Sequence, residues 1–486
     1  MKKITITIPE PFNPEDFRKD GHILVDTLSD YLKSALSGEE MPVLPWNEPD
    51  QLVEKFSFRS GGGENEPMDS FIKRIIDNSI HIHHPHYIGH QVTSPLPATA
   101  LVQFCTTLLN NGAAIYEMGP VNMAMEKNVI NRFGTSIGYN QGFDGIFTHG
   151  GTAGNLTAML AARQAKTDYN IWEDGVRENG KPGYMISEQA HYSVGRNVKI
   201  MGLGDDSIIR VPSDKYFRMS TDMLEELKAS AEKKGVRIIS VVASSCSTAT
   251  GSYDHLNEVA DFCQKYDLWM HVDGAHGMGV LFSDKYRHLV EGIERADSVV
   301  IDFHKMLLVP ALNTLVMFKN GERSFETFAQ KASYLFQKTH KNLWYNSAVR
   351  TIECTKSALG IIAYTALKYY GKDYYRHYID SRYDLAIILA AMIRSDHKLE
   401  LAVEPESNIV CFRYKPEGLN ENDINQANAS IREKIIKEGS FYIVQAELDG
   451  KIWLRVTIIN PVTSENDLKE LLARVSDLGA EIIKKS

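Results

Sequence analysis

His-Val-Asp-Gly-Ala-His at residues 271–276 and Asp-Phe-His-Lys at residues 302–305 are the two stretches that decide the fold. Short apolar runs lead into both of them, Leu-Trp-Met-His-Val over 268–272 and Ala-Asp-Ser-Val-Val-Ile over 296–301. Runs of this length and composition predict buried strands. In an open α/β sheet, ligands bind at the edge where the carboxyl ends of the strands meet. We therefore expect both stretches to face one common site.

Asp273 and Lys305 supply two complementary groups to that site. The amine of Lys305 can condense with an aldehyde, and the carboxylate of Asp273 can hold a protonated pyridine nitrogen. These are the two contributions that a protein makes to pyridoxal phosphate chemistry. A His-Lys dipeptide alone carries no information, but a strand-end aspartate followed by a strand-end His-Lys indicates a pyridoxal phosphate enzyme.

The chain divides into three predicted regions. Residues 1–95 form an N-terminal arm with two helical patterns interrupted by prolines. Residues 96–375 alternate apolar strands with helical patterns, which predicts a large α/β domain with a mostly parallel sheet and helices on both faces. Residues 376–486 are typical of a smaller C-terminal α+β domain, with a hairpin that turns at Asp449-Gly450. We expect the large domain to bind the cofactor.

Composition excludes several classes of protein. With 486 residues, 43% hydrophobic and 24% charged, the chain is typical of a soluble globular protein with room for two packed units. A net charge of −9 without a basic stripe argues against a nucleic-acid partner. No apolar run reaches the roughly 18–20 residues of a membrane span, and Met1–Pro9 lacks the core of a signal peptide. The five cysteines are scattered, without disulfide-framework or metal-site spacing. We expect a cytoplasmic protein without a membrane partner.

A glycine-rich segment, Phe-Thr-His-Gly-Gly-Thr-Ala-Gly-Asn over 147–155, joins a predicted strand to a predicted helix. Its small residues let backbone N–H groups at the helix N-terminus approach an anion, and Thr152 adds a hydroxyl. From this segment alone, a tight turn without a ligand is an equal alternative. The segment lacks the Gly-Lys-Ser/Thr of a Walker loop. The glycines at Gly274, Gly277 and Gly279 have the wrong spacing for a dinucleotide fingerprint.

His191 and a separate cluster of five histidines need different interpretations. His191 follows the predicted strand Tyr184–Ser187, where an imidazole could stack on a flat ring or be an ordinary loop residue. A second group could suggest a metal site, but it has no His-x-x-x-His pair on one helical face and Pro85 breaks any helix there. Its members are His81, His83, His84, His86 and His90. We expect no metal, and a loop that lines a polar pocket.

Taken together, these segments resemble the group II pyridoxal-phosphate decarboxylases, the family of the glutamate, cysteine-sulfinate, diaminobutyrate and aromatic amino-acid decarboxylases. The resemblance covers about residues 80–310 and continues more weakly to the C-terminus. It is carried by His84-Pro85, Thr148-His-Gly-Gly-Thr-Ala-Gly-Asn155, Ala190-His-Tyr-Ser193, Trp269-Met-His-Val-Asp273, Ala296-Asp-Ser298 and His304-Lys305. It implies the transferase-like fold of type I pyridoxal phosphate enzymes and a homodimer with sites at the subunit interface.

The resemblance also implies roles for individual residues. Lys305 would hold the cofactor covalently, Asp273 would pair with its ring nitrogen, and His191 would stack on the ring face. The other implied cofactor contacts are Gly151, Thr152 and His304 at the phosphate, and Thr248 and Ala275 near the ring.

The sequence departs from the family pattern at three places. Cys246-Ser247 stands where the family usually has Gly-Thr, so that loop is expected to differ in shape. Asp302 stands where an asparagine is frequent, and a carboxylate there would repel the phosphate unless it is turned away. The mobile loop that bears the family's catalytic tyrosine is short between Tyr334 and Arg350. Tyr345 lies within this stretch, but its position does not identify it as that residue.

Two segments bear on the substrate. Tyr116-Glu117 lies in a stretch that resembles the glutamate-type branch of the family. His90 and Gln91 replace bulky aromatic residues of the aromatic branch and are predicted to bind substrate. Polar groups that lose water without gaining a partner penalise an apolar ligand, so these residues favour a small polar side chain. The sign of that side chain's charge stays open, because His90 could partner a carboxylate and Glu117 an ammonium.

The sequence therefore predicts an L-amino-acid α-decarboxylase that acts on a small polar substrate. Other readings stay open at this point. A lyase of the sphingosine-phosphate type shares the core motifs but usually carries a membrane anchor, and an aminotransferase would consume a 2-oxo acid. Decarboxylation of an aromatic amino acid is the third alternative. A non-enzymatic descendant of the fold would be expected to lose Lys305 or Asp273, and both are present.

Overall fold

The computed structural model describes residues 12–38, 41–58, 66–177, 180–328 and 344–485. Within these residues, no helix is both long and apolar enough to cross a lipid bilayer. In chain order the helices are α1 (Pro14–Ser37), α2 (Pro49–Lys55), α3 (Met68–Ile76), α4 (Pro97–Leu109), α5 (Pro120–Ile137), α6 (Gly151–Lys166), α7 (Ile171–Asp174), α8 (Tyr192–Ile200), α9 (Leu224–Lys233), α10 (Leu256–Tyr266), α11 (Glu322–Phe328), α12 (Leu359–Ser395), α13 (Glu421–Glu438) and α14 (Glu465–Lys485). The strands are β1 (Asp144–Thr148), β2 (Lys181–Ser187), β3 (Ile208–Val211), β4 (Val236–Ser244), β5 (Trp269–Asp273), β6 (Ser298–Asp302), β7 (Thr314–Phe318), β8 (Leu399–Leu401), β9 (Ile409–Tyr414), β10 (Val444–Leu448) and β11 (Lys451–Thr457).

The larger sheet has seven strands in the order β1-β7-β6-β5-β4-β2-β3. Strand β7 runs antiparallel to both of its neighbours, and the neighbouring pairs from β6 to β3 are parallel. This arrangement confirms the prediction of a mostly parallel α/β sheet.

Helices cover both faces of this sheet, and the strand sequences show why. In β6, Val299 and Ile301 pack into one apolar core, while Val300 packs into the other. Because side chains alternate along a strand, a run that is apolar throughout buries both faces. Helices α6 and α8 lie on the Val300 side, and α5, α10 and α12 contribute to the core on the opposite side.

A four-stranded antiparallel sheet, β10-β11-β9-β8, lies in the C-terminal part of the chain with helices α13 and α14. As predicted, β10 and β11 form a hairpin that turns at Asp449 and Gly450, whose φ angles of 51° and 73° are both left-handed. A two-residue turn of this hand matches the twist of the flanking strands. Ser464 precedes α14, and its Oγ accepts a hydrogen bond from the Asp467 backbone N–H.

The long helix α12 connects the two sheets. It is interrupted at Gly371, whose backbone angles are not helical. The predicted boundary between residues 375 and 376 falls inside this helix, beyond the interruption. The three domain limits drawn from the sequence stay a prediction.

A segment of the N-terminal arm joins the C-terminal sheet through its backbone. Ile88 N–H donates to Tyr442 O at 3.2 Å, and Thr457 N–H donates to Ile88 O at 2.7 Å. The Ile88 side chain is fully buried in the core of the C-terminal unit. Backbone groups more than 350 positions apart in sequence are therefore joined by hydrogen bonds.

Candidate active site

The carboxyl ends of β1, β4, β5 and β6 surround a cavity of about 470 Å³. All of the residues that the sequence analysis assigned to the cofactor line this cavity. They are Gly151, Thr152, His191, Thr248, Asp273, Ala275, His304 and Lys305. The structure thus brings the predicted residues together, and their individual roles stay predictions.

Lys305 lies just beyond the end of β6, where its amine is close to Asp302. The Lys305 Nζ is 3.1 Å from Asp302 Oδ2, and Thr314 Oγ1 donates to Asp302 Oδ1 at 2.5 Å. Burial raises the pKa of Asp302, but Lys305, His304 and the bond from Thr314 outweigh it and leave that pKa below its ordinary value. Asp302 is therefore an ionised carboxylate that is turned toward Lys305 and Thr314.

Asp273 ends β5 with its carboxylate fixed at both oxygens. Ala275 N–H donates to Oδ1 at 3.2 Å, and Asn155 Nδ2 donates to Oδ2 at 2.9 Å. The residue is only 7% exposed. A buried carboxylate held in this way is suited to a cationic ring nitrogen, because hydrogen bonds from the chain set its orientation.

Helix α6 begins at the cavity with a free N-terminus. Gly150 adopts φ 92°, a conformation that favours glycine, and no side chain caps the helix. An added Cβ at Gly151 would lie 3.1 Å from Asp302 Oδ2, a tight contact that a larger residue could relieve only by moving the Asp302 side chain. Backbone N–H groups at an uncapped helix start form an anion site.

His191 stands between β2 and α8 as the N-cap of that helix. Its Nδ1 accepts a hydrogen bond from Ser193 N–H at 3.3 Å and lies 2.7 Å from Ser193 Oγ. Burial lowers the pKa of His191, although the charge of Asp273 opposes the effect. The ring is thus anchored at one nitrogen beside the cavity.

This set of groups fits pyridoxal phosphate. The amine of Lys305 can bond to an aldehyde carbon, Asp273 can hold a protonated ring nitrogen, and the start of α6 can receive a phosphate. All three face one cavity between strand ends.

The predicted substrate residues His90 and Gln91 do not line this cavity, whereas the adjacent Val92 does. The exposed His90 ring lies 5.7 Å from the ring of Tyr442, and Gln91 Nε2 is buried without a described partner. Their contact with substrate stays a prediction.

The other clustered histidines are engaged with the protein. His86 Nδ1 lies 3.0 Å from Ser440 O, and its Nε2 lies 3.1 Å from Asp467 Oδ1. Burial lowers the pKa of His84 to about 4, so its ring is neutral near pH 7. Among the described residues, no group of three or more metal-ligating side chains is arranged to hold a metal ion.

Of the two loop tyrosines, Tyr334 lies outside the described residues. The Tyr345 ring packs against Tyr116, with the ring centroids 5.6 Å apart, and against Trp344. Neither Tyr345 nor Tyr116 lines the 470 Å³ cavity.

Arg455 is the charged residue that the sequence analysis missed. It lies within β11 opposite Cys411 of β9 and is 5% exposed. In the part of the chain that the structure describes, its Nε and Nη2 have no hydrogen-bond partner. A signal was present in the sequence, because a cation interrupts the apolar run Ile-Trp-Leu-Arg-Val over 452–456.

Arg455 is close enough to the cavity wall for its charge to act there. The positive charges of both Lys305 and Arg455 oppose protonation of His276, whose pKa is lowered to about 3, mainly by burial. The same two cations act on the buried Cys246 thiol, although burial raises its pKa to about 12. Both His276 and Cys246 line the cavity. Arg455 itself does not line the cavity, so a cation with two nitrogens that have no described partner lies behind the wall that faces the C-terminal sheet.

Comparisons with known proteins agree with this geometry. The pattern of the pyridoxal-dependent decarboxylase conserved domain matches residues 62–415. Cysteine sulfinic acid decarboxylase of Mus musculus is 30% identical over 467 residues, 93% of this chain and 93% of that enzyme. Aromatic-L-amino-acid decarboxylase of Bacillus atrophaeus is 28% identical over 474 residues, 96% of each chain. The crystal structure of mouse CSAD has a TM-score of 0.86 at 27% identity, with 94% of this chain and 98% of that chain covered.

Proposed function

This chain belongs to the pyridoxal-dependent decarboxylase family, and from that premise we propose that it decarboxylates a small L-amino acid with a polar, anionic side chain. It is an amino-acid decarboxylase with pyridoxal phosphate as its cofactor. The open question is the side chain of the substrate, because the relatives include enzymes named for cysteine sulfinic acid and for aromatic amino acids.

We assign the cofactor contacts from the cavity geometry. Lys305 would hold the cofactor through its amine, Asp273 would keep a proton on the ring nitrogen, and the start of α6 would bind the phosphate. His191, anchored by Ser193, would lie against the ring face. The bound cofactor supplies an electron sink for the pair of electrons that remains when carbon dioxide leaves.

The choice of substrate rests on the guanidinium of Arg455, whose Nε and Nη2 have no hydrogen-bond partner among the described residues. A buried charge without a partner is unfavourable by several kcal/mol, and an opposite charge relieves that penalty. The described residues offer no hydrogen-bond acceptor for its Nε or Nη2. A substrate carboxylate or sulfinate would supply one, with the planar, two-pronged geometry that arginine prefers.

The side-chain anion suits this cation better than the leaving α-carboxylate does. Decarboxylation removes the α-carboxylate charge, so a cation paired with that group would stabilise the reactant more than the transition state. A cation paired with a side-chain anion holds the substrate equally in both states. Arg455 would therefore select substrates with an anionic side chain without slowing the loss of carbon dioxide.

A comparison of kcat/KM across cysteine sulfinate, glutamate, aspartate, 2,4-diaminobutyrate, tyrosine and tryptophan tests the proposal, with carbon dioxide release as the readout. We expect the anionic substrates to exceed the aromatic ones by roughly 100-fold or more. The proposal fails if an aromatic amino acid or the cationic diaminobutyrate has the highest value.

The variant Arg455→Met should remove most of this preference. Arg413→Met is the matched control, because Arg413 is also a buried arginine of the C-terminal sheet but is paired with Glu400 and Glu421. The control should cost stability while the order of substrates is kept. An unchanged order in Arg455→Met would remove Arg455 from substrate recognition.

We also propose that the protein is a cytoplasmic homodimer. Helix α4 exposes Leu101, Leu108 and Leu109, each more than half accessible in the single chain, and Phe104 of α4 stacks on Phe17 of α1. Apolar surface of this kind is typical of a protein interface. Light scattering across a range of concentrations would test this, and a monomer at micromolar concentration would contradict it. Cell fractionation tests the location.

A further inference from the structure

Four buried side chains form a continuous hydrogen-bonded path to Asp273, which we call the relay: Trp269, Ser298, His271 and Asn155. Trp269, His271 and Asp273 alternate along β5 and so point to the same face of the sheet. Ser298 comes from the adjacent strand β6, and Asn155 comes from α6, which covers that face. None of the four is more than 3% exposed.

The hydrogen bonds of the relay have a single consistent direction. Trp269 Nε1 can only donate, and it donates to Ser298 Oγ at 2.8 Å. At the other end, the Asp273 carboxylate accepts a hydrogen bond from Asn155 Nδ2 at 2.9 Å. The Asn155 Oδ1 then faces His271 Nε2 at 3.0 Å, which requires a proton on that nitrogen.

The protonation and tautomer of His271 follow from its pKa and from the hydrogen bonds at the two ends of the relay. Burial lowers its pKa to about 4, so the ring is neutral near pH 7 and carries one proton. With that proton on Nε2, the Nδ1 atom is an acceptor, and it receives the Ser298 hydroxyl at 2.8 Å. Each of the four hydrogen bonds from Trp269 to Asp273 thus joins one donor to one acceptor.

Loss of one hydrogen bond from the relay would weaken this arrangement of donors and acceptors. Without the Ser298 hydroxyl, only the Asp273 end of the path still favours the Nε2 proton over the Nδ1 proton. With the proton on Nδ1, His271 would favour an inverted Asn155 amide, whose oxygen would face the Asp273 carboxylate and repel it. The orientation of the Asn155 amide is therefore held from both ends, by the carboxylate and by a hydroxyl three hydrogen bonds away from it.

We infer that the relay is a positioning device, which fixes the Asn155 amide so that the Asp273 carboxylate stays aimed at the ring nitrogen of the cofactor. The relay residues do not touch the reacting atoms and act through Asp273. Hydrogen bonds in series polarise one another, so the path strengthens the last bond beyond what Asn155 alone would give. The inference rests on the proposed pairing of Asp273 with the ring nitrogen and is independent of which amino acid is the substrate.

The test is the equilibrium affinity of the apo-protein for pyridoxal phosphate, measured by quenching of protein fluorescence without substrate. Ser298→Ala should weaken binding by about five- to tenfold, the usual size of a lost buried hydrogen bond. Ser240→Ala is the matched control. Ser240 lies opposite Trp269 in the sheet, is equally buried, and its hydroxyl has no described partner. The control should bind the cofactor as the unmodified protein does.

A double-mutant cycle separates positioning from ordinary packing. If the relay acts through Asp273, Ser298→Ala should change the affinity by less than twofold when Asp273→Asn is already present. Equal effects in both backgrounds, or an effect no larger than that of Ser240→Ala, would overturn the inference. If Ser298→Ala does not fold, Trp269→Phe enters the same cycle, because it removes only the first donor. Failure of the proposed substrate class would leave these affinities unchanged.

Discussion

Asp273 and Arg455 are two buried charges near one cavity, Asp273 in its lining and Arg455 behind it, and they differ in their hydrogen bonds. Asp273 receives hydrogen bonds from Ala275 and Asn155, and a path of side chains fixes their direction. Arg455 has no described partner at Nε or Nη2. The proposed cofactor wall, at Asp273, is thus held by the protein alone, whereas the C-terminal wall, near Arg455, has a charge without a full set of partners among the described residues. In the assignment that we propose, the difference separates a preorganised cofactor site from a substrate site that is completed on binding.

The largest effect should follow from Lys305→Ala, which removes the covalent anchor on the cofactor wall. We expect turnover to fall by a factor on the order of 10³ or more, as when a catalytic nucleophile is removed. Borohydride treatment should no longer fix the cofactor to the protein. Lys319→Ala, which alters an exposed lysine at the end of β7, is the control. A borohydride-fixed peptide centred on another lysine would contradict the assignment.

The next largest effect concerns the charge of Asp273. A carboxylate beside the ring nitrogen raises the pKa of that nitrogen, because the negative charge stabilises the protonated form, and a neutral amide does not. Asp273→Asn should therefore retain some cofactor but lose turnover by a factor on the order of 10²–10³. Asp297→Asn alters a carboxylate just before β6 and should leave turnover within a few-fold. Near-normal turnover in Asp273→Asn would mean that Asp273 is not the group that keeps the ring nitrogen of the cofactor protonated.

A smaller effect, with the opposite sign, should follow from Asp302→Asn. The pKa of Asp302 is depressed overall, so its negative charge persists beside the start of α6, where the phosphate would bind. The amide removes this repulsion and can still accept from Thr314. We expect cofactor affinity to rise by about three- to tenfold, or about 0.7–1.4 kcal/mol, because the Lys305 amine at 3.1 Å offsets most of the repulsion from the carboxylate. Weaker binding would show that Asp302 helps to orient Lys305.

The smallest effect near neutral pH is on the stability of the fold, and it comes from two buried histidines, His271 and His276. Burial lowers the pKa of His271 to about 4 and that of His276 to about 3, against about 6.5 in an unfolded chain. A depressed folded pKa means that the unfolded chain binds the proton more tightly, so stability is full above pH 6.5 and is lost as the pH falls toward these values. Each ring should lower the free energy of unfolding by up to about 1.4 kcal/mol per pH unit below 6.5. Urea unfolding at pH 7, 5.5 and 4.5 measures this, and a flat profile would contradict it.

The sequence predicted the cofactor side of the cavity because its information is local. Asp273 and Lys305 each follow a recognisable strand, and parallel strands bring their carboxyl ends to one edge without further knowledge of the fold. The relay was not predicted, although His271 stands in the first stretch that was quoted. Its partner Asn155 lies 116 residues away, and only the packing of α6 on β5 and β6 brings the two together.

Other features were missed for related reasons. Strand β7 is a five-residue apolar run, and periodicity gives no information about its antiparallel direction. The unpaired state of Arg455 depends on what surrounds it, which a single sequence does not contain. His90 and Gln91 were predicted by analogy to bind substrate; the neighbouring Val92 lines the cavity, and the contact of His90 and Gln91 with substrate stays a prediction.

The bond between Ile88 and the C-terminal sheet has a consequence for the order of folding during synthesis. Tyr442 and Thr457, its backbone partners, are made about 350 residues after Ile88. Until then the ribosome-bound chain must keep this apolar segment without its native partners, so closure of so long a loop comes late in folding. Limited proteolysis of chains stalled before residue 440 should therefore cut near residues 81–90, and full-length chains should resist there. The segment around Ile88 is therefore synthesised long before the strands to which its backbone hydrogen-bonds.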